Sequence, residues 1–115
     1  MNYHISLLTK SERPCITNEA GVFFLRESIY ILRDYQGRLV SGIYGKNYLH
    51  LNICVPDDLN ISKVTSELPD QLAKRLRKDP QMGNKNYYFG EPFAWGECCV
   101  TAVPAADSDT REEKC

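Results

Sequence analysis

Apolar and polar residues alternate along several stretches of this chain, and the alternation predicts β-strands. Every second side chain is apolar over residues 3–8 and again over residues 48–55. In the second stretch the polar positions are His50, Asn52 and Cys54. A strand with one apolar and one polar face is typical of an antiparallel sheet that is covered on one side. Residues 39–44 fit a third strand, weakened by Gly42.

Further strands are predicted where β-branched and aromatic residues cluster. Residues 22–25 and 28–32 are rich in such side chains, and residues 26–27 between them fit a bulge, a turn or the polar face of one long strand. Residues 34–38 read as a hairpin connection in which Gly37 supplies a positive φ. Residues 87–89 fit a short strand and residues 97–103 a last one.

A single apolar stripe predicts one main helix. Its members recur at helical spacing: Ile61, Val64, Leu68, Leu72 and Leu76. Pro69 is compatible with a helix whose N-cap is Thr65 or Ser66, because a proline in the first turn sacrifices no hydrogen bond. A kinked extra turn from residue 60 or 62 is the alternative. Pro80 and Gly83 end the helix.

These elements together predict an α+β fold. We expect an antiparallel β-sheet of about five to six strands with one main α-helix packed on one face. Residues 1–103 would form the single domain, and residues 104–115 a disordered charged tail with nothing to bury. If the second face of the sheet is bare, a homodimer would cover it.

Composition narrows the class of protein. The chain has 115 residues and a formal net charge of −1, so it lacks the basic excess of a dedicated nucleic-acid binder. Neither a secretory signal nor an apolar run long enough to span a bilayer is recognisable, which predicts a cytoplasmic protein without a membrane partner. An odd number of cysteines, five, argues against a disulfide scaffold. We expect Cys54, Cys98 and Cys99 to be reduced and mostly buried.

No set of residues indicates catalysis or metal binding. His50 and Cys54 point the same way in a strand, but the adjacent Cys98 and Cys99 point to opposite faces and cannot both reach one ion. His50 with Cys99 or Ser41, and His4 with Glu97, are conceivable pairs that no spacing enforces. The sequence therefore predicts no catalytic residue, no metal and no cofactor. A small enzyme centred on His50 remains an alternative.

The end of the predicted helix is basic. Its four cations are Lys74, Arg75, Arg77 and Lys78. Cations at this position complement the negative end of the helix dipole. They would also serve to contact phosphates, which gives an alternative function as a nucleic-acid-associated module.

An aromatic segment gives the leading functional hypothesis. Five aromatic residues fall within nine positions: Tyr87, Tyr88, Phe89, Phe93 and Trp95. Such residues dominate protein-binding hot spots, although they also fill cores. With no catalytic set, we expect a small protein-binding protein whose partner is another, unidentified protein. An inhibitor, an immunity protein or a phage-type anti-defence (anti-CRISPR) factor would fit, and nucleic acid is the less favoured partner.

Overall fold

The protein is described here by a computed structural model that covers residues 1–83 and 92–103. Over these residues the chain forms four strands, two α-helices and one 3₁₀ turn. In chain order they are β1 (Asn2–Thr9), the 3₁₀ turn (Lys10–Glu12), α1 (Asn18–Arg33), β2 (Arg38–Tyr44), β3 (Tyr48–Cys54), α2 (Ile61–Lys78) and β4 (Trp95–Ala102).

The four strands form one antiparallel sheet in the order β2-β3-β1-β4. The apolar side of β1 and β3 packs with both helices in a single core, in which Ile5, Leu51 and Leu72 are fully buried. The strands predicted over residues 3–8, 39–44, 48–55 and 97–103 are confirmed, with ends shifted by one or two residues. In β3 the predicted division into an apolar and a polar face is confirmed as far as Ile53, but Cys54, predicted on the polar face, is fully buried.

The prediction of strands over residues 22–25 and 28–32 is wrong, because this stretch is helix α1. Thr17 caps the helix, its hydroxyl accepting a hydrogen bond from the Ala20 amide at 3.1 Å. Phe24, Ile31 and Leu32 are fully buried, and their spacing follows the helical period. Burial of this face outweighs the weak β preference of the individual residues, which depends on context.

The predicted hairpin at residues 34–38 is instead the connection from α1 to β2. Its left-handed residue is Gln36, with φ of 60°, and not Gly37. The amides of Gln36 and Gly37 donate to the carbonyls of Arg33 and Leu32 at 3.0 and 2.9 Å. This pattern satisfies two of the last carbonyls of the helix. Gly37 is needed for space, since a Cβ there would lie 2.7 Å from Val55.

Helix α2 is the predicted main helix, and it starts earlier than Thr65. Asn60 is the N-cap, accepting a hydrogen bond from the Ser62 amide at 3.0 Å. Pro69 therefore lies inside the helix, where it cannot donate to the Thr65 carbonyl four residues earlier. The thiol of Cys98 on β4 approaches that carbonyl at 3.8 Å. The freed carbonyl thus faces a weak donor from the sheet.

The α+β class and the antiparallel sheet are as predicted, but the element count is not. Four strands and two α-helices replace the expected five to six strands and one helix, because one predicted pair of strands is α1. The strand predicted at residues 87–89 and the tail predicted at residues 104–115 lie outside the described residues. Among those described, no helix has the length and apolar character needed to cross a membrane.

Candidate functional site

One face of the sheet carries polar side chains and is not covered by α1 or α2. The strand registers place the side chains on this face, which we call the polar face: His4, Ser6, Ser41, His50, Asn52, Cys99 and Thr101. Each is half-buried or exposed, in contrast to the buried residues on the helix side. The polar face is therefore the broadest functional surface in the described part of the chain.

Three aromatic rings form a row across the polar face. The rings of His4 and His50 meet edge to face with centroids 5.3 Å apart, and the ring of Tyr48 lies 4.8 Å from that of His50. The two histidines are diagonal neighbours on β1 and β3, because His4 pairs with Asn52 and His50 with Ser6. We refer to Tyr48, His50 and His4 as the ring row.

His4 is held by a hydrogen-bonded chain that crosses three strands. Its Nδ1 lies 2.8 Å from the Oδ1 of Asn52, and the Nδ2 of Asn52 donates to the Oγ of Ser41 at 2.8 Å. Within this chain, a donor at Nδ1 matches the acceptor oxygen of Asn52. Such an imidazole, when neutral, has its lone pair at Nε2.

The residue pairs considered for an enzyme centred on His50, and the pair of His4 with Glu97, do not form in the structure. Ser41 bonds to Asn52 and not to His50. Cys99 lies opposite Ser6, so β1 separates it from His50 on β3. The residue opposite His4 on β4 is Thr101, not Glu97. The aromatic neighbours of His50 are Tyr48, two residues earlier on the same strand, and His4 on β1. The sequence alone missed His4 because the pairing of β1 with β3 brings it close.

The thiols of β4 are more exposed than expected. Cys98 and Cys99 are free, as predicted, but they are exposed, since β4 is an edge strand of the described sheet. The prediction of a reduced Cys54 is wrong, because Cys54 is fully buried and disulfide-bonded. Burial at the Sγ of Cys98 and the neighbouring Cys99 raise the pKa of the Cys98 thiol. Within residues 1–83 and 92–103, no three His, Cys, Asp or Glu side chains converge as they would around a metal ion.

The end of the sheet next to Tyr48 carries two lysines. The Lys10 amide donates to the Ala94 carbonyl, and the Lys46 carbonyl accepts from the Ile16 amide, so both lysines flank the strand ends there. Both side chains are exposed. The exposed Glu12 lies in the same 3₁₀ turn as Lys10, so a negative charge is also present at this end of the sheet.

The four cations at the end of α2 lie on the helix side of the sheet, and three have protein partners. Lys74 pairs with Asp70 at 3.1 Å and Arg75 with Glu27 of α1 at 2.7 Å. Arg77 donates to the Phe93 carbonyl at 2.8 Å. Lys78 is exposed. These contacts give the basic helix end a structural role in joining α2 to α1 and to the segment before β4.

The aromatic segment contributes to the core where it is described. Phe93 is 1 % exposed, and the Phe93 and Trp95 rings both pack against Phe24 with centroids 5.2 and 5.0 Å away. These two rings are placed in the core and not on a binding surface, because α1 provides an aromatic surface for them. Tyr87, Tyr88 and Phe89 lie outside the described residues.

A cleft of about 620 Å³ opens on the helix side, at the first turns of α1. Its lining includes Val22, Phe23, Arg26 and Met82, together with the carboxylate of Glu19. Arg26 lies over the Phe23 ring and pairs with Glu27 at 3.3 Å. The carboxylate and the occupied arginine make the cleft a poorer site for an anionic ligand than the polar face.

The chain is similar to known transposases in sequence and in fold. The family model described as "Transposase IS200 like" matches residues 1–109. One similar solved structure, from Deinococcus radiodurans, is classed as a candidate transposase; it is 18 % identical with a TM-score of 0.76, and the match covers 97 % of this chain and 85 % of that one. Another is a REP-associated tyrosine transposase bound to a REP hairpin, 12 % identical with a TM-score of 0.59, covering 96 % of this chain and 61 % of that one. No curated protein matched.

These findings contradict the leading functional hypothesis. The prediction of an inhibitor, an immunity protein or an anti-defence factor is wrong. The predictions of a non-enzyme and of a protein partner are wrong as well, because the matching family consists of transposases, which act on DNA. The alternative of a nucleic-acid-associated protein fits better. Overall charge misled the prediction, because a net charge near zero does not exclude binding to DNA. With the match spanning residues 1–109, the chain belongs to the IS200-like transposase family.

Proposed function

We propose that this chain binds single-stranded segments of hairpin-forming DNA on its polar face, as the recognition step of transposase-type DNA processing in the cytoplasm. The ring row carries the proposal. Bases of a single strand stack on aromatic side chains exposed on a sheet, and each stacked base is worth about 1–3 kcal/mol. Paired bases inside a duplex do not offer their faces to such rings.

The surroundings of the ring row support the same ligand. The side chains beside it include the hydroxyls of Ser6 and Ser41 and the amide of Asn52, which form hydrogen bonds with base edges. The apolar Ile43 and Leu8, opposite His50 and Tyr48, add surface on which a base can pack. Lys46, which is exposed at the adjacent strand end, would attract a phosphate beside a stacked base. The structural neighbour that was solved with a REP hairpin makes a hairpin with an unpaired extension the first ligand to try.

Fluorescence anisotropy with labelled DNA tests the proposal. We expect a hairpin with a single-stranded extension to bind at least about tenfold more tightly than a blunt duplex of equal length, because only the hairpin has unpaired bases to stack. Replacing a ring should weaken binding by about 5- to 100-fold, the equivalent of one stacked base. Tyr48→Ala and His50→Ala are the variants to measure.

Two matched variants separate stacking from other causes. Tyr48→Phe keeps the ring and removes only the hydroxyl, so its affinity should stay within about twofold of the parent. Lys63→Ala removes an exposed cation on the helix side and should change affinity little. Equal binding of hairpin and duplex, or unchanged binding by Tyr48→Ala, would remove the polar face as the DNA site.

A further inference from the structure

We infer that His4 is a specificity-determining residue that recognises an N–H group of an unpaired base through Nε2, and that Asn52 and Ser41 position it for this role. The inference deepens the proposed function and rests on it for the identity of the ligand. It starts from the hydrogen-bonded chain across β1, β3 and β2, which the ring row alone does not require.

The orientation of the Asn52 amide in the structure indicates which nitrogen of His4 holds the proton. The Nδ2 of Asn52 donates to Ser41, which leaves Oδ1 as the atom that faces His4 at 2.8 Å. An oxygen without a hydrogen accepts only, so Nδ1 of His4 must donate. In the neutral ring Nε2 then carries a lone pair and no hydrogen. The Ser41 hydroxyl accepts from the Asn52 Nδ2 in this orientation and is the outer partner of the amide.

A lone pair at Nε2 selects among the groups that DNA offers. Phosphate oxygens are acceptors and repel a second lone pair, whereas amino and imino groups of unpaired bases are donors. His4 is half-buried on β1, and no protein group among the described residues bonds to its Nε2. His4 therefore reads a base edge beside the stacked rings, and the exposed Lys46 at the adjacent strand end is left to neutralise a phosphate.

Imidazole ¹⁵N–¹H correlation spectra of the free protein near pH 8 test the positioning step without DNA. We expect His4 in the Nδ1–H form. Asn52→Leu should shift it toward the Nε2–H form, and Ser41→Ala should give a mixture. Asn52→Asp keeps an acceptor oxygen and Ser41→Thr keeps the hydroxyl, so each of these variants should retain the Nδ1–H form of the parent. Ser6→Ala on the same face is the control. An Nε2–H ring in the parent protein, or spectra unmoved by Asn52→Leu, would overturn the positioning.

DNA binding at several salt concentrations tests the contact. His4→Ala should weaken hairpin binding by about fivefold, the equivalent of one hydrogen bond, with the slope of log K against log salt unchanged. A phosphate contact would instead lower that slope by about one. Lys46→Ala provides the comparison, since it should lower the slope. A lowered slope for His4→Ala contradicts the base-edge contact. If no variant of the polar face changes DNA binding, the proposed function fails while the spectra still decide the tautomer.

Discussion

At the scale of single residues, environment decides what a side chain can do. Tyr35 and Tyr48 are both half-buried tyrosines, yet only Tyr48 belongs to the polar face. The Tyr35 hydroxyl donates to the carboxylate of Glu67 on α2 and so joins the end of α1 to that helix. Burial first, and then the hydrogen bond and charge of Glu67, raise the pKa of Tyr35 to about 12.

The raised pKa predicts a loss of stability in alkali. An unfolded tyrosine loses its proton near pH 10, while folded Tyr35 keeps its proton to about 12. The unfolded state therefore binds fewer protons in this window, and the free energy of unfolding falls as the pH rises from about 10 to 12. Below pH 10 the contribution is fully present. Urea titrations at pH 8, 9, 10 and 11 measure the effect.

Tyr35→Phe is the matched variant for this prediction. It removes the ionisable group and keeps the ring, so its free energy of unfolding should decline less steeply above pH 10 than that of the parent. Tyr30→Phe is the control, because Tyr30 is exposed on α1. Parallel pH profiles for Tyr35→Phe and the parent would show that Tyr35 does not hold its proton in the folded state.

The residue scale also shows what the sequence could and could not reveal about the site. Alternation correctly placed His50 and Asn52 on the polar side of a strand. It could not pair that strand with β1, so the contact of His4 with both of them was invisible. The basic helix end was visible as a run of cations. Its use in contacts to Asp70, Glu27 and Phe93 required the fold.

At the scale of elements, α1 explains the largest error of prediction. Its sequence is rich in residues that favour strands, and local preference alone indicates two short strands. The capping Thr17 and the helical spacing of Phe24, Ile31 and Leu32 were also present in the sequence. Those signals prevailed because the sheet has an apolar face to cover and α2 alone is too narrow to cover it.

Helix α2 keeps a proline in its interior, and this predicts a stabilising substitution. Pro69→Ala restores a backbone donor for the Thr65 carbonyl and removes the steric cost of the ring. We expect the free energy of unfolding to rise by about 1 to 3 kcal/mol, because proline is about 3 kcal/mol less favourable than alanine inside a helix. Chemical denaturation followed by circular dichroism at 222 nm measures the change.

The same substitution at Pro92, which is exposed and outside every described helix, serves as the control and should give no gain. A loss of stability on Pro69→Ala would contradict the prediction and indicate that Pro69 itself stabilises α2. The contact of the Cys98 thiol with the Thr65 carbonyl would then be part of the stable fold, and not a partial replacement for the missing backbone hydrogen bond.

At the scale of the whole molecule, the fold separates two surfaces. Both helices pack on one side of the sheet and enclose the core, while the ring row and its hydrogen-bonded chain occupy the other. The composition averages these two surfaces, so the net charge of −1 says little about either of them. The central claim is that DNA lies on the polar face and leaves the helix side free.

Two adjacent cysteines report on the two sides of the sheet. Cys99 shares the polar face with Ser6, while Cys98 points to the Thr65 carbonyl on the helix side, and both are free and exposed. Their alkylation rates, measured by peptide mass spectrometry with and without hairpin DNA, compare the sides within one strand. Cys98→Ser and Cys99→Ser variants isolate each thiol, and each rate is compared with its own DNA-free value because the pKa of Cys98 is raised.

We predict that saturating hairpin DNA slows the alkylation of Cys99 at least about fivefold and leaves that of Cys98 unchanged, since a strand stacked on the ring row would cover only the polar face. Blunt duplex DNA at the same concentration should protect neither thiol. Protection of Cys98 with Cys99 unprotected would place the DNA on the helix side and contradict the account.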